Sequence, residues 1–284
     1  MHLRILVIKS LFLWFLGMNL ISNFDIKLIS LSVFDLTGNP TLDRISVRES
    51  NYELQVSVGD KIFVFGKAKG TLDKIKVGMN VLHFAQVAEI EGNFNRFSKV
   101  SWKKLKDGSI QIFSSYEPWP HSLYWTVYAD GQLKMEASGP PENFKNVRWL
   151  GLGFDYPEQM LNQVSWKSAS SDFGQWKNSN FVPMANPEIE FKIANQGFFQ
   201  PIQSVKLEFE TVTLDVSTET SGVFLSLGED QNQNLLLPKL KTDLAFFFNQ
   251  PIQNSELLPQ TPSATSPSRQ ISAVNPLVLW FLFQ

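Results

Sequence analysis

The stretch NFKNVRWLGLGFDYPEQMLNQVSW, residues 143–166, decides the fold class. It opens on an apolar-rich run through Val147, Trp149 and Leu150 and passes through Gly151-Leu152-Gly153. An acidic, proline-marked turn follows at Asp155-Tyr156-Pro157-Glu158. The chain re-enters an apolar pattern at Met160 or Leu161 and finishes through Val164 and Trp166. Two strands joined by a glycine- and proline-punctuated loop is what this order predicts.

The segments on either side carry the same signal. Tyr52, Leu54, Val56 and Val58 share one face of a first strand, and Gly59-Asp60 turns into a return strand over Ile62–Phe65. A turn at Lys69-Gly70 leads into Leu72–Val77, and Gly78 into Val81–Val87. Strands are expected at Val100–Leu105 and Ile110–Tyr116, then a rigid connection at Glu117-Pro118-Trp119-Pro120. Leu123, Trp125 and Val127 alternate with polar and aromatic neighbours, and Asp130-Gly131 turns into Leu133, Met135 and Ala137. Residues 167–200 read as irregular, with isolated aromatics, before strands resume over Val205–Val216 and Val223–Leu227. Turn signals about every eight to ten residues in the first half suit an antiparallel sandwich. No strand–helix alternation is present, which excludes a (β/α)8 barrel.

Composition narrows the function classes. The 284 residues have room for one large β-domain or two small ones. A net charge of −2 gives no footprint for a polyanion, so no nucleic-acid partner is expected. Without cysteine there are no disulfides, thiolate metal sites or Cys nucleophile. Three histidines exclude a His-rich metal centre but not an oxygen-ligand cation site. No metal or cofactor is expected. Twenty-four Phe and eight Trp suit strands and sugar-stacking surfaces alike.

Residues 1–22 place Arg4 and Lys9 ahead of an apolar run, as in an export signal or uncleaved anchor. On that reading the protein is exported or anchored. The region after the run lacks a small-x-small pair, so a divergent N-terminus that packs or frays stays open. Residues 23–49 read as a linker or the remnant of a preceding domain, and 50–248 as the main domain. Residues 249–284 read as a polar, linker-like tail. Its apolar end, VNPLVLWFLFQ, is too short to span a bilayer and is expected as an edge strand or a frayed end.

A resemblance sharpens this. Tyr124-Trp125 to Tyr128, Asp130-Gly131, Gly139-Pro140, Val147 to Phe154, Pro157-Glu158 and Val164-Ser165-Trp166 are similar in order and spacing to one known module. It is the C-terminal small-chain domain of glycoside hydrolase family 2 β-galactosidases. Lys69-Gly70 matches the family's characteristic turn, and the likeness covers about 50 to 248. It implies the galactose mutarotase-like supersandwich, two large antiparallel sheets packed face to face. The departures matter too. After Trp166 the family continues Leu-Gly-x-Gly-Pro and soon a Trp or Tyr before Asn/Asp-Arg. Here Lys167-Ser168 replaces the start of that turn, and Ser179 stands for the Arg. The family's Phe-Leu-His corresponds to Phe246-Phe247-Phe248, without the His. Both changes fall on the family's sugar-facing loops.

Candidate chemistry is correspondingly mild. A retaining β-galactosidase needs two barrel carboxylates about 5 Å apart, and the resemblance does not reach that barrel. No catalytic residue is therefore assigned, and Asp155 with Glu158 reads as solvated surface. Sugar contact needs aromatic faces with hydrogen-bonding neighbours. Trp119 and His121 on one loop, and Asp172 and Trp176 around the altered one, are the candidates. Trp125, Trp149 and Trp166 sit in apolar-patterned strands and read as core, and His83 as a structural residue. The expected function is a non-catalytic β-galactosidase-type module, supporting a separate catalytic glycoside hydrolase chain or weakly binding a galactoside or other carbohydrate. The alternatives are an independent mutarotase-like aldose 1-epimerase and a structural interaction domain without a sugar site. Whether the chain is itself an enzyme stays open at this point.

Overall fold

Buried and outward side chains alternate through Glu53–Val58, Ile110–Glu117 and Leu133–Ala137, as one-sided burial on a core requires, whereas Gly151–Phe154 and Leu244–Phe247 are buried throughout. The computed structural model describes residues 44–87, 95–139, 150–168, 173–177, 200–227, 242–248 and 276–284, and these form an all-β fold of large antiparallel sheets. Five strands make a meander in sequence order: β1 (Ser46–Glu49), β2 (Glu53–Val58), β3 (Lys61–Gly66), β4 (Thr71–Val77) and β5 (Asn80–Leu82). Next come β6 (Ala85–Gln86), β7 (Arg96–Lys104), β8 (Ile110–Glu117), β9 (Leu123–Val127), β10 (Leu133–Ala137) and β11 (Gly151–Asp155). A 3-10 turn, Glu158–Met160, precedes β12 (Leu161–Ser168) and β13 (Phe173–Lys177). The last are β14 (Gln200–Phe209), β15 (Thr213–Thr218), β16 (Phe224–Leu227), β17 (Leu244–Phe247) and β18 (Leu277–Phe283).

β6 to β18 hydrogen-bond in the order β6-β11-β17-β16-β14-β15-β18-β10-β9-β8-β7, with β12 and β13 beside β14. β14 is the corner of this array. Its first residues, Gln200 and Pro201, pair with β16, whereas Ser204–Glu208 pair with β15 on one side and β12 on the other. One layer is thus β13-β12-β14-β15-β18-β10-β9-β8-β7. The other is the meander continued by β6, β11, β17 and β16, since only His83 and Phe84 separate β5 from β6.

Aromatic rings fasten the two layers together. Phe63 meets Phe283 at 6.1 Å and Phe65 meets Trp125 at 6.1 Å. Phe154 lies 5.6 Å from Phe281 and 6.3 Å from Trp125, while Phe84 stacks on it at 5.1 Å. Trp125 also donates its indole N–H to the buried Gln86 side-chain oxygen (3.1 Å), so its polar atom is satisfied inside the core. Trp125 and Trp166 are core residues as expected. Trp149 lies outside the described residues.

The Lys69-Gly70 turn is pinned from above. Tyr116 donates its hydroxyl to the Lys69 carbonyl (2.7 Å) and Ser114 to the Gly70 carbonyl (2.6 Å). Gly70 has φ +69°, and a Cβ there would lie 2.5 Å from the Phe97 ring. Only glycine fits this position.

Several expectations change. Ser46–Glu49 pairs with β2, so the meander begins inside the segment read as a linker or remnant. Val81–Val87 splits into β5, which pairs with β4, and β6, which pairs with β11, while Leu82, Phe84 and Gln86 keep one buried face throughout. The run Val205–Val216 is a hairpin. The buried parity switches from odd (Val205, Leu207, Phe209) to even (Val212, Leu214, Val216) where Phe209 N–H bonds the Val212 carbonyl. Within 167–200, expected as irregular, Phe173–Lys177 pairs with β12. The leader read at 1–22 lies outside the described residues.

The largest correction concerns the apolar end. β18 is neither an edge nor frayed, because it lies between β10 and β15 and pairs with both along its length. Leu277, Leu279, Phe281 and Phe283 are fully buried on its core face. Burying each such side chain contributes about 1.5–3 kcal/mol, so the four together rival the usual 5–15 kcal/mol net stability of a domain. Removing residues 276–284 is therefore expected to abolish the cooperative urea transition and the near-UV circular dichroism. Phe281→Ala should keep the transition but lose about 3–5 kcal/mol. A truncated chain unfolding at the parent midpoint would contradict the central placement of β18.

Candidate functional site

Prolines at 118 and 120 cannot donate to a ladder, so the chain leaves β8 after Glu117 and loops to β9. Trp119 plugs that loop into the core. Its side chain is fully buried, its indole N–H donates to the Ser138 carbonyl (2.6 Å), and its ring lies edge-on to Phe248 at 5.6 Å. Trp119 therefore offers no face to a sugar, contrary to the sequence reading. A large apolar ring with one partner for its N–H gains more from burial than from a wet loop. His121, two residues on, is exposed at the rim that Trp119 anchors.

Trp176 lies in β13, paired in register with Val164 of β12. Asp172 lies outside the described residues. The β8–β9 loop and the end of β12 are at the same end of the large sheet, because Leu123 pairs Ala137, Ala137 pairs Leu277, and Ser204 pairs both Ser217 and Lys167. However, β9 and β12 are five strand steps apart. At about 4.8 Å per step that is roughly 24 Å along the sheet, beyond the reach of one monosaccharide. The backbone thus does not bring His121 and Trp176 into one site.

The acidic turn after β11 is built around Asp243. Tyr156 N–H donates to Asp243 Oδ2 (2.9 Å), and the buried Tyr156 ring packs edge-on against Phe209. Partial burial, and then the charge of Asp243, raise the Asp155 carboxyl above its ordinary range. Glu158 is exposed and Asp155 keeps part of its surface in solvent; the charge that perturbs Asp155 is that of Asp243. His83 is exposed between the buried Leu82 and Phe84, on the outward beat of the strand alternation.

Sequence reading missed the aromatic surface on the outer face of the large sheet. Trp280 stacks on Tyr128 at 5.3 Å, lies under Lys134 Nζ at 5.1 Å, and donates its indole N–H to Glu219 (2.6 Å). Beside it, Phe113 meets Tyr124 at 5.2 Å with Lys99 Nζ over the Phe113 ring. The signal was the alternation in 277–283, which sends Trp280 and Leu282 to the face opposite Leu279 and Phe281. Tyr128, Lys134 and Glu219 already occupy the Trp280 ring and its N–H, making a cross-strand cluster that closes on itself.

Among the described residues no group of three His, Cys, Asp or Glu could hold a metal ion, and no helix is long and apolar enough to cross a membrane. No protein-family model matches the chain, and no curated protein matches it significantly. The likeness to the small-chain domain thus rests on the residues quoted for it.

Trp119→Ala is expected to cost about 3–5 kcal/mol of unfolding free energy. His121→Ala should fall within about 0.5 kcal/mol of the parent. Chemical denaturation of both variants checks the assignment, and equal losses would refute it. Asp155→Asn has a separate signature. With its folded pKa raised, Asp155 is destabilising once pH exceeds its ordinary range, and the effect vanishes below it. The variant should melt higher than the parent at pH 7, with the gain gone by about pH 3.

Proposed function

We propose that the chain is a non-catalytic β-sandwich module of the β-galactosidase small-chain type. It acts beside a separate catalytic glycoside hydrolase chain or binds carbohydrate weakly, a galactoside being the first ligand to try. The observation that carries this reading is the way the resembling residues cooperate. Trp125, Phe154 and Trp166 lie in one core between two facing antiparallel layers. Asp130-Gly131 closes the β9–β10 hairpin with Gly131 at φ +80°. The family fold implied by the resemblance is likewise two antiparallel sheets packed face to face, and the two layers agree with it at that coarse level.

The exposed His121 favours one second reading, a mutarotase-like aldose 1-epimerase using a His general acid. Polarimetry on freshly dissolved α-galactose, with parent and His121→Ala protein, separates the two. Faster mutarotation that the variant loses selects the epimerase.

For the first reading, calorimetric titration with galactose and lactose should show saturable binding at millimolar Kd, detectable with about 50 mM ligand. Trp176→Ala and His121→Ala, made separately, identify whether the β13 region or the β8–β9 loop holds the sugar. Silence at 50 mM removes the carbohydrate arm and leaves support of a catalytic chain, tested by restoring activity to a barrel-only β-galactosidase.

A further inference from the structure

The long edge of the large sheet belongs to β7, which spans nine residues, Arg96–Lys104. Among the described residues no strand pairs with its outer side. The meander's edge strand β1 has four residues and the opposite edge β13 has five. A bulge between Phe97 and Lys99 disturbs one end of β7, but Lys99–Lys104 pairs with β8 in unbroken register. Over these six residues the outward-pointing backbone groups meet no strand among the described residues, which makes them a template for another strand.

The side chains on that template are strongly biased. Residues 96–106 contain Arg96, Lys99, Lys103, Lys104 and Lys106 and no acid, in a chain whose net charge is −2. None of these cations joins an ion pair among the described residues. Lys99, Ser101 and Lys103 follow one face, where Lys99 lies over Phe113. Val100, Trp102 and Lys104 follow the other, where Val100 packs on the core and Trp102 is 39% exposed. Of the nearby acids, Glu49 of β1 accepts from both Trp102 Nε1 (2.8 Å) and Lys67 Nζ (2.8 Å), Asp107 accepts from Ser109, and Glu117 lies opposite Arg96 at the bulged end.

Such an edge discriminates by charge. A second copy of β7 laid antiparallel would set lysines against lysines and is repelled. A strand with carboxylates at every other position meets Lys99 and Lys103 at the cross-strand distance of about 4.5–5.5 Å. Its alternate positions then face Val100 and Trp102. We propose that Lys99–Lys104 is a docking edge for an extended acidic segment of a partner protein, which adds to the sheet as a further strand. The backbone row favours a peptide over an acidic polysaccharide, because only a peptide returns both N–H donors and C=O acceptors in register. This inference rests on the edge alone and stands whether or not the chain binds sugar.

The test uses the full chain and a fluorescent nonapeptide alternating glutamate with valine or threonine, read by anisotropy. Saturable binding with a Kd of about 10–100 μM is expected, weakening about tenfold between 50 and 500 mM salt. The Lys103→Glu/Lys104→Glu double variant should weaken binding at least about tenfold, while Lys74→Glu/Lys76→Glu on the meander leaves it unchanged. Far-UV circular dichroism of both variants checks that each has folded. The same peptide N-methylated at every residue keeps its charge but cannot donate to the ladder, so it should not bind. Equal binding of the N-methylated peptide, no saturation by about 1 mM, or an undiminished double variant would each overturn the proposal.

Discussion

The fold depends on one ring. Phe154, midway along the stretch that decides the fold class, contacts Phe84, Trp125, Phe246 and Phe281. Those neighbours come from the β5–β6 junction, β9, β17 and β18, so one side chain touches both layers at once. Its neighbours Gly151 and Gly153 lack side chains because a Cβ at either would strike Phe246 and Phe247 or Thr242 within 3 Å. The glycines let β17 and the 242 region close over β11, and that closure holds Phe154 in place. An aromatic centre shared by both layers is also why local errors in reading the strands leave the class of fold unchanged.

What could be read from the residues alone follows from how local each signal was. The β9–β10 hairpin was legible because Asp130-Gly131 and a clean period of two both lie within a few residues. The β14–β15 hairpin was harder. Its turn residues, Glu210 and Thr211, lack the usual glycine, and only the shift in buried parity betrays it. β18 was misplaced because its partners are distant in sequence, and a polar, proline-rich stretch before it looks like the end of a domain. Composition near a strand says nothing about which edges are waiting for it.

The candidate site shows the same limit. Prolines around Trp119 mark a loop, and aromatic residues on loops suggest contact with ligands. Whether such a ring points in or out depends on the Ser138 carbonyl and Phe248, which the chain supplies from elsewhere. Likewise, two loops at one end of a wide sheet look like neighbours until the strand order separates them. The basic run in 96–106 is written in the residues, but the sequence reading passed over it. Its meaning required knowing that no described strand pairs with its outer side.

β18 also imposes an order on synthesis. It is the last described strand to leave the ribosome, yet it fills a gap one strand wide between β10 and β15. Until it emerges, the large sheet exists as two halves, each presenting a bare internal edge lined by apolar side chains such as Leu133, Met135, Leu214 and Val216. Those edges are complementary to the same missing strand and to each other's counterparts on neighbouring nascent chains. A nascent chain whose β18 has not yet emerged is thus most prone to strand exchange, and a chaperone that shields the gap would act until that strand is in place.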